Sequence, residues 1–79
     1  MTDVFKEDMI LDCTGMLCPL PVVKTSRMFK EMQSGQILKM ISTDPGSQPD
    51  MEAWSRQTGN EMLRSMQEAG KFVFYLRKK

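Results

Sequence analysis

Apolar residues along the chain recur with a period of two in some stretches and about 3.6 in others, which are the spacings of strands and helices. The predicted strands cover residues 8–13, 36–42, 60–67 and 72–76, and the predicted helices run from Pro19 to about Gln33 and from Ser47 to Gly59. The resulting order is β-α-β-α-β-β. We therefore expect an α/β two-layer sandwich, with two helices on one face of a four-stranded mixed sheet.

Residues that favour turns and helix ends separate these elements. Gly15 breaks the first strand, and Gly35 is expected to end the first helix. Ser47, followed by Asp50 three residues later, resembles a capping box that starts the second helix. Residues 36–42 are apolar on both faces, which predicts a central strand.

The first predicted helix is amphipathic. A helical wheel centred on Val22 places one set of residues on the buried side: Thr25, Ser26, Met28, Phe29 and Met32. Lys24, Arg27 and Glu31 fall on the opposite side. Leu20 lies among these polar residues, so we expect an exposed apolar side chain near the start of the helix.

The length and composition of the chain limit the classes of protein to which it can belong. The 79 residues predict a single domain over 1–79, in which the polar residues 1–7 are flexible. The formal net charge of +1 gives no global field that would demand nucleic acid or an anionic membrane. Two cysteines and no histidine supply neither a disulfide framework nor a metal site, so we expect no cofactor. Without a signal or membrane segment, the expected location is the cytoplasm.

Thiol chemistry is the chemistry that this composition leaves open. Cys18 comes directly before Pro19-Leu20-Pro21, where the pattern changes from strand to helix. Backbone N–H groups at a helix start favour negative charge, and a thiol placed there tends toward the reactive thiolate. Proline is tolerated in a first helical turn. We therefore predict that Cys18 is reactive and that Pro19 and Pro21 form its scaffold, although a buried, inert cysteine is the alternative.

Cys13 has two interpretations. It shares a strand face with Leu11, which favours a packed thiol. Alternatively, it forms an internal disulfide with Cys18 after that residue is oxidised or loaded with sulfur.

Candidate partner-docking residues surround the predicted helix start: Leu17, Leu20, Lys24, Arg27 and Asp44. Lys24 and Arg27 beside Leu20 would suit an acidic partner, but a merely solvated helix face is an equally good interpretation of the two cations.

Several motifs together resemble the TusA/SirA family of small sulfur-carrier proteins, and the similarity extends from about Ile10 to Lys78. The matching residues are Leu11-Asp12, Gly15, Cys18-Pro19-Leu20-Pro21, Gly35, Thr43-Asp44-Pro45-Gly46-Ser47, Asp50 and Gly59-Asn60-Glu61-Met62-Leu63. The resemblance implies the same β-α-β-α-β-β sandwich.

The resemblance also implies a function. The cysteine at the position of Cys18 would accept sulfane sulfur as a persulfide and pass it to a cysteine of another protein. A rhodanese or a cysteine desulfurase would load it, and a DsrE-like or other relay protein would receive the sulfur. Such a protein is a sulfurtransferase-like carrier rather than a stand-alone enzyme.

Two positions depart from family members that act in tRNA thiolation. These members often have a basic residue before the cysteine and an acid between the prolines, where this chain has Leu17 and Leu20. The chain therefore looks more similar to the sulfur-oxidation or general sulfur-transfer type.

Two other functions compete with a sulfur carrier. A redox switch would use a reversible disulfide between Cys13 and Cys18 to control partner binding. A non-covalent interaction module would use the apolar sheet face of Ile37 and Ile41 and need neither cysteine. RNA binding is disfavoured because the strands lack interleaved aromatic and basic residues.

Overall fold

The elements follow one another in the predicted order in the computed structural model, which describes residues 6–17 and 19–79. They are β1 (Met9–Cys13), α1 (Leu20–Glu31), β2 (Ile37–Ser42), α2 (Ser47–Thr58), β3 (Glu61–Glu68) and β4 (Lys71–Arg77). Of the predicted flexible residues 1–7, residues 1–5 lie outside the described residues, as does Cys18. Neither described helix has the length and apolar character needed to cross a membrane.

The four strands form one mixed sheet in the order β1-β2-β4-β3. β1 pairs with β2 in parallel, whereas β4 is antiparallel to both β2 and β3. The central position predicted for β2 is confirmed. Its Leu38 and Met40 are fully buried, while Ile37 and Ile41 on the other face are half-buried.

The core lies between the sheet and the two helices. It contains Leu38, Met40, Phe74 and Leu76 from the sheet and Phe29, Met51 and Trp54 from the helices. The Phe29 and Trp54 rings meet edge to face, with centroids 4.9 Å apart and planes at 86°. The Trp54 indole N–H donates to Ser26 Oγ at 2.8 Å, so aromatic packing and a hydrogen bond both join α1 to α2.

The buried stripe of α1 differs from the prediction. It is formed by Pro21, Thr25 and Phe29, and Val22, at the predicted centre, is only half-buried. Thr25 can occupy the stripe because its hydroxyl donates to the Pro21 carbonyl at 2.7 Å, which satisfies the buried polar group.

The capping box predicted for α2 is wrong. Gly46 is the N-cap residue, and Ser47 is the first helical residue and is buried. The Ser47 hydroxyl instead donates to the Asp44 carbonyl at 2.6 Å. The Asp44 side chain accepts from the Gly46 N–H at 3.1 Å, so an Asx turn starts the helix one residue earlier than the box would.

The end of α1 also differs from the prediction, whereas the end of α2 agrees with it. α1 ends at Glu31, and Met32 follows in extended conformation with its side chain in the core. Gly35, with a φ of 88°, therefore lies in the next turn rather than at the helix end. Gly59 does terminate α2, in the left-handed conformation that glycine adopts without strain.

Candidate functional site

Two loops meet at the edge of the sheet where the parallel strands β1 and β2 end. The first loop, residues 14–19, leads into α1, and the second, residues 43–46, leads into α2. The Gly15 N–H donates to Thr43 Oγ1 at 2.9 Å and joins the two loops. Because both helices begin at this edge, their positive dipole ends lie on the same side of the molecule.

The chain on either side of position 18 forms a turn at the start of α1. The Leu20 N–H donates to the Leu17 carbonyl at 2.9 Å, and the Val23 N–H donates to the Pro19 carbonyl at 3.1 Å. Pro19 is the N-cap residue, so the predicted helix start moves by one position. Pro21 lies inside the first turn and is buried, as its fixed φ allows.

The positive end of α1 has no local acidic partner within its own sequence. Its first turn contains no acidic residue, and Pro19 provides no side-chain cap. In α2, by contrast, Asp50 lies in the first turn. An anionic group near the start of α1 would therefore face a positive helix end whose own first turn contains no acidic residue.

Exposed apolar side chains lie at this turn and in the helix just after it. Leu17 is 71% exposed, Leu20 is 48% exposed and Val23 is 39% exposed. The exposure predicted for Leu20 is thus confirmed. Sequence reasoning missed Val23, although its position three residues after Leu20 is the spacing of one helix face.

Lys24 and Arg27 lie beside these apolar residues on the exposed side of α1. Together with Leu11, Met28 and Glu31 they line a groove of about 220 Å³ between α1 and β1. The structure therefore brings the two predicted docking cations into one groove.

Asp44 does not share that groove. It is half-buried, and its carboxylate and carbonyl oxygens hold the turn that begins α2. Its described hydrogen bonds give it a structural role in the loop that contacts Gly15 through Thr43.

A second groove lies directly beside Pro19 and was not predicted. It has a volume of about 250 Å³ and lies between the first turn of α1 and the length of α2 from Asp50 to Gln57, with Val22 also among its lining residues. No local sequence pattern signals this groove, because it depends on how α2 lies against α1.

Cys13 is fully buried in the core, as the packed interpretation predicts. Burial raises the pKa of its thiol, and the negative charge of Asp12 adds to this effect, whereas the positive charge of Lys24 opposes it. The neutral thiol is therefore the favoured form of Cys13 at neutral pH.

A metal centre has no evident ligands here. Within residues 6–17 and 19–79, no three His, Cys, Asp or Glu side chains come close enough together to bind a metal ion.

The fold and this edge define a class of small two-layer α/β proteins with a Cys-Pro-x-Pro sequence at the start of the first helix. The family model described as Sulfurtransferase TusA matches residues 9–78. The chain therefore belongs to the TusA family.

Individual relatives agree with this assignment. The sulfur carrier protein TusA of Allochromatium vinosum is 46% identical over 71 residues, which is 90% of this chain and 93% of that protein. The sulfur carrier protein TusA of Pseudomonas putida is 39% identical over 79 residues, covering 100% of this chain and 98% of that protein. A longer protein of Aquifex aeolicus is 49% identical over 73 residues, and the match spans 92% of this chain but only 37% of that protein.

A solved structure confirms the fold. The crystal structure of a SirA-like protein from Desulfitobacterium hafniense superposes with a TM-score of 0.78 at 15% identity, covering 87% of this chain and 95% of that one. This agreement supports the β-α-β-α-β-β sandwich predicted from the sequence.

Proposed function

We propose that this protein is a sulfur carrier in which Cys18 accepts sulfane sulfur as a persulfide and transfers it to a cysteine of an acceptor protein. The observation that carries the proposal is the described start of α1, where Pro19 and Pro21 hold a turn at a helix end without acidic residues. Family membership and the relatives named sulfur carriers support the same role.

The transfer proceeds by two thiolate displacements without net oxidation. The Cys18 thiolate attacks the outer sulfur of a donor persulfide, a new S–S bond forms, and the donor leaves as a thiolate. An acceptor thiolate then attacks the terminal sulfur of the Cys18 persulfide and releases the Cys18 thiolate. The N-terminus of α1 stabilises the negative charge before and after each step, so no histidine is required.

The partners must bring their own cysteines to the start of α1. A rhodanese or a cysteine desulfurase is the proposed donor, and a DsrE-like or other relay protein is the proposed acceptor. The exposed side chains of Leu17, Leu20 and Val23 offer an apolar contact. Lys24 and Arg27 extend it with positive charge, which suits an acidic partner surface.

The same surface supports a proposal about the type of pathway. With Leu17 and Leu20 apolar and exposed, we propose the sulfur-oxidation or general sulfur-transfer type rather than tRNA thiolation. The test is to offer Cys18-loaded protein a DsrE-like acceptor with an apolar contact surface and a tRNA-thiolation relay acceptor. Faster transfer to the second acceptor would contradict this proposal.

The redox switch needs Cys13 to reach a second thiol. Its complete burial and its raised pKa both slow attack by its sulfur. These observations favour the carrier over the switch.

Intact-protein mass spectrometry tests the proposal. Wild type, Cys18→Ser and Cys13→Ala are incubated with a rhodanese and thiosulfate, then measured with and without dithiothreitol. Alanine is chosen at position 13 because a serine hydroxyl would be buried in the core. We expect added sulfur in wild type and in Cys13→Ala, none in Cys18→Ser, and removal by dithiothreitol.

Two results of this experiment would contradict the proposal. A loss of two hydrogens that requires both cysteines, with no added sulfur, would establish the redox switch instead. Sulfur loading that persists in Cys18→Ser would place the carrier thiol elsewhere.

A further inference from the structure

The two loops at the edge of the sheet follow directly after paired strand ends. Cys13 at the end of β1 lies opposite Ser42 at the end of β2 in the parallel register. This register brings residues 14–19 alongside residues 43–46. The hydrogen bonds of each loop then show which of the two is firmly held and can hold the other in place.

The loop at residues 43–46 is held at several points. The Asp44 N–H donates to Oγ of the buried Ser42 at 3.2 Å. The Asp44 carbonyl accepts from the Ser47 N–H at 2.9 Å and from the Ser47 hydroxyl at 2.6 Å, and the Asp44 side chain accepts from the Gly46 N–H at 3.1 Å. This loop is therefore fixed between the end of β2 and the first turn of α2.

The loop at residues 14–19 is held mainly by local hydrogen bonds. Within residues 6–17 and 19–79, the bond from the Gly15 N–H to Thr43 Oγ1 is the one hydrogen bond that joins this loop to a residue distant in sequence. The other described bonds of the loop join residues no more than four positions apart, such as the Met16 N–H and the Cys13 carbonyl at 3.1 Å. The Met16 side chain also packs against the core. The Thr43 hydroxyl thus supplies the long-range hydrogen bond of the loop.

Gly15 presents its N–H from a backbone conformation that favours glycine. Its φ is 81°, and it is the third residue of the turn that the bond between Met16 and Cys13 closes. A Cβ on Gly15 would meet nothing within 4 Å. A larger residue here would therefore act through the strain of a positive φ and not through a collision. A substitution of Gly15 can thus displace the donor and leave the Thr43 acceptor unchanged.

The position of this loop matters because it leads directly into α1. Cys18 comes three positions after Gly15, and the bond from the Leu20 N–H to the Leu17 carbonyl spans position 18. The stabilisation of negative charge by a helix end falls off within the first turn. A small displacement of the loop is therefore expected to change how well α1 stabilises a thiolate at position 18.

We propose that Thr43 is a positioning residue for the Cys18 thiol. Its hydroxyl oxygen, supported by the firmly held loop at residues 43–46, binds the Gly15 N–H and keeps the loop at residues 14–19 in place at the positive end of α1. Thr43 acts through the loop in this role and not on the sulfur itself. The inference rests on the proposed function, because it takes Cys18 as the sulfur-carrying thiol.

The rate at which iodoacetamide modifies Cys18 in the full chain, followed across a range of pH by the mass of the Cys18 peptide, tests this role. Only the thiolate reacts, so the midpoint of the profile reports how well the thiolate is stabilised. Thr43→Val keeps the branched shape and removes the hydroxyl. It should move the midpoint to higher pH and lower the thiolate fraction below the midpoint by about two- to fivefold, the size of a helix-end effect. Thr43→Ser keeps the hydroxyl and should show the wild-type profile.

Thr58→Val is the matched control. Thr58 is half-buried like Thr43, and its hydroxyl donates to the Trp54 carbonyl at 2.8 Å and accepts from the Asn60 N–H at 3.3 Å. It is the last residue of α2, whose 12 residues span about 18 Å from the loop at residues 43–46. Thr58→Val should leave the profile of Cys18 unchanged, so a general loss of stability would not imitate the expected result.

Gly15→Ala tests the same hydrogen bond from its donor. It should move the midpoint in the same direction as Thr43→Val. Because both substitutions disturb one interaction, the double variant should shift the midpoint by less than the sum of the two single shifts.

Three results would overturn the proposal. The first is an unchanged profile in Thr43→Val, with urea unfolding showing that the variant is folded. The second is an equal shift in Thr43→Val and Thr58→Val. The third, which decides the matter if Thr43→Val does not fold, is a wild-type profile in Gly15→Ala.

Sulfur loading of wild type by a rhodanese and thiosulfate, measured in parallel by mass, reports separately on the proposed function. Absence of loading together with a shifted profile in Thr43→Val would contradict the sulfur carrier and support the placement of the Cys18 thiol by Thr43. Normal loading together with an unchanged profile would support the carrier and contradict the role of Thr43.

Discussion

At the end of β1, the Asp12 carboxylate accepts hydrogen bonds from both the hydroxyl and the backbone N–H of Thr14. The hydroxyl bond is the largest cause that holds the pKa of this carboxyl below its usual value, followed by the backbone bond. Partial desolvation opposes the shift, and the Lys71 ammonium adds to it. One short side chain thus controls the ionisation of its neighbour two residues away.

Replacing Thr14 tests this control. Thr14→Val removes the hydroxyl donor and should raise the pKa of Asp12 toward the value of a free aspartate, about 3.9. Thr14→Ser keeps a hydroxyl and should leave the pKa low. A ¹³C NMR titration of the Asp12 carboxyl measures all three proteins, and an unchanged pKa in Thr14→Val would contradict the assignment.

The same pKa has a consequence for acid stability. Because the pKa of Asp12 is lower in the folded state, its ionised form stabilises the fold above its unfolded pKa of about 3.9. That contribution is lost as the pH falls through the folded pKa. Asp12→Asn should therefore show a smaller loss of stability than wild type when the pH is lowered from neutral to this range.

The burial of Cys13 gives a second prediction for a single residue. In Cys18→Ser, where Cys13 is the only thiol, iodoacetamide at neutral pH should modify the folded protein very slowly and the denatured protein fully. The raised pKa of the buried thiol and its lack of access both slow the reaction. Mass spectrometry over time measures it, and rapid labelling of the folded variant would show that the core opens around Cys13.

At the scale of elements, a hydrogen bond and an aromatic contact join α1 to α2. Ser26 Oγ accepts from the indole of Trp54, whose ring packs against Phe29. Since Trp54 is mostly buried, the loss of this acceptor leaves an indole N–H without its partner.

Ser26→Ala should therefore lower the free energy of unfolding by about 1 kcal/mol. Ser65→Ala, at an exposed position of β3, is the matched control and should change it by less than about 0.5 kcal/mol. Urea unfolding followed by Trp54 fluorescence measures both variants. Equal stability of Ser26→Ala and Ser65→Ala would show that the bond between the helices contributes nothing.

The sequence predicts an element well where its apolar residues follow one clear pattern. β4 has an unbroken apolar run, and both helices show clear periodicity. The start of α2 could not be predicted because Asp44 and Ser47 are both short polar residues that can begin a helix, and local sequence does not rank them. The irregular pairing between Met62 and Arg64 in β3 likewise has no glycine or proline to signal it.

The candidate site likewise contains some features that the sequence predicts and others that it does not. The proline scaffold follows from the fixed φ of proline, so Pro19 and Pro21 could be placed near the helix start from sequence. The groove beside Pro19 and the exposure of Val23 depend on how the two helices lie on the sheet. Such tertiary relations leave no pattern in a single sequence.

At the scale of the whole molecule, exposed apolar residues occur on two separate surfaces. Leu20 belongs to the surface at the start of α1, whereas Ile10, which is 57% exposed, lies on the sheet face that the helices leave uncovered. If the protein is a sulfur carrier, its partners are expected to contact the surface at the start of α1. A non-covalent module would use the second, which also contains Ile37 and Ile41.

A pair of matched variants separates these two surfaces. Leu20→Gln and Ile10→Gln each replace an exposed apolar side chain, and both should change stability by less than about 0.5 kcal/mol. Leu20→Gln should slow sulfur transfer from loaded Cys18 to an acceptor protein several-fold, and Ile10→Gln should leave the rate unchanged. Single-turnover transfer followed by mass spectrometry measures the rates, and the reverse result would move the docking surface to the open sheet face.

The backbone around β2 determines where a longer polypeptide could be attached. The Asp8 N–H donates to the Ile37 carbonyl at 2.8 Å, and the Lys78 N–H donates to the Gln36 carbonyl at 2.9 Å. β1 and β4 flank β2, so residues 8 and 78 lie about two strand spacings, roughly 10 Å, apart. Both are at the edge opposite the loop at residues 14–19. A fusion extended from either of these residues would thus leave the start of α1 open, and under the proposed function a tethered copy of this unit would still present Cys18 to a neighbouring domain.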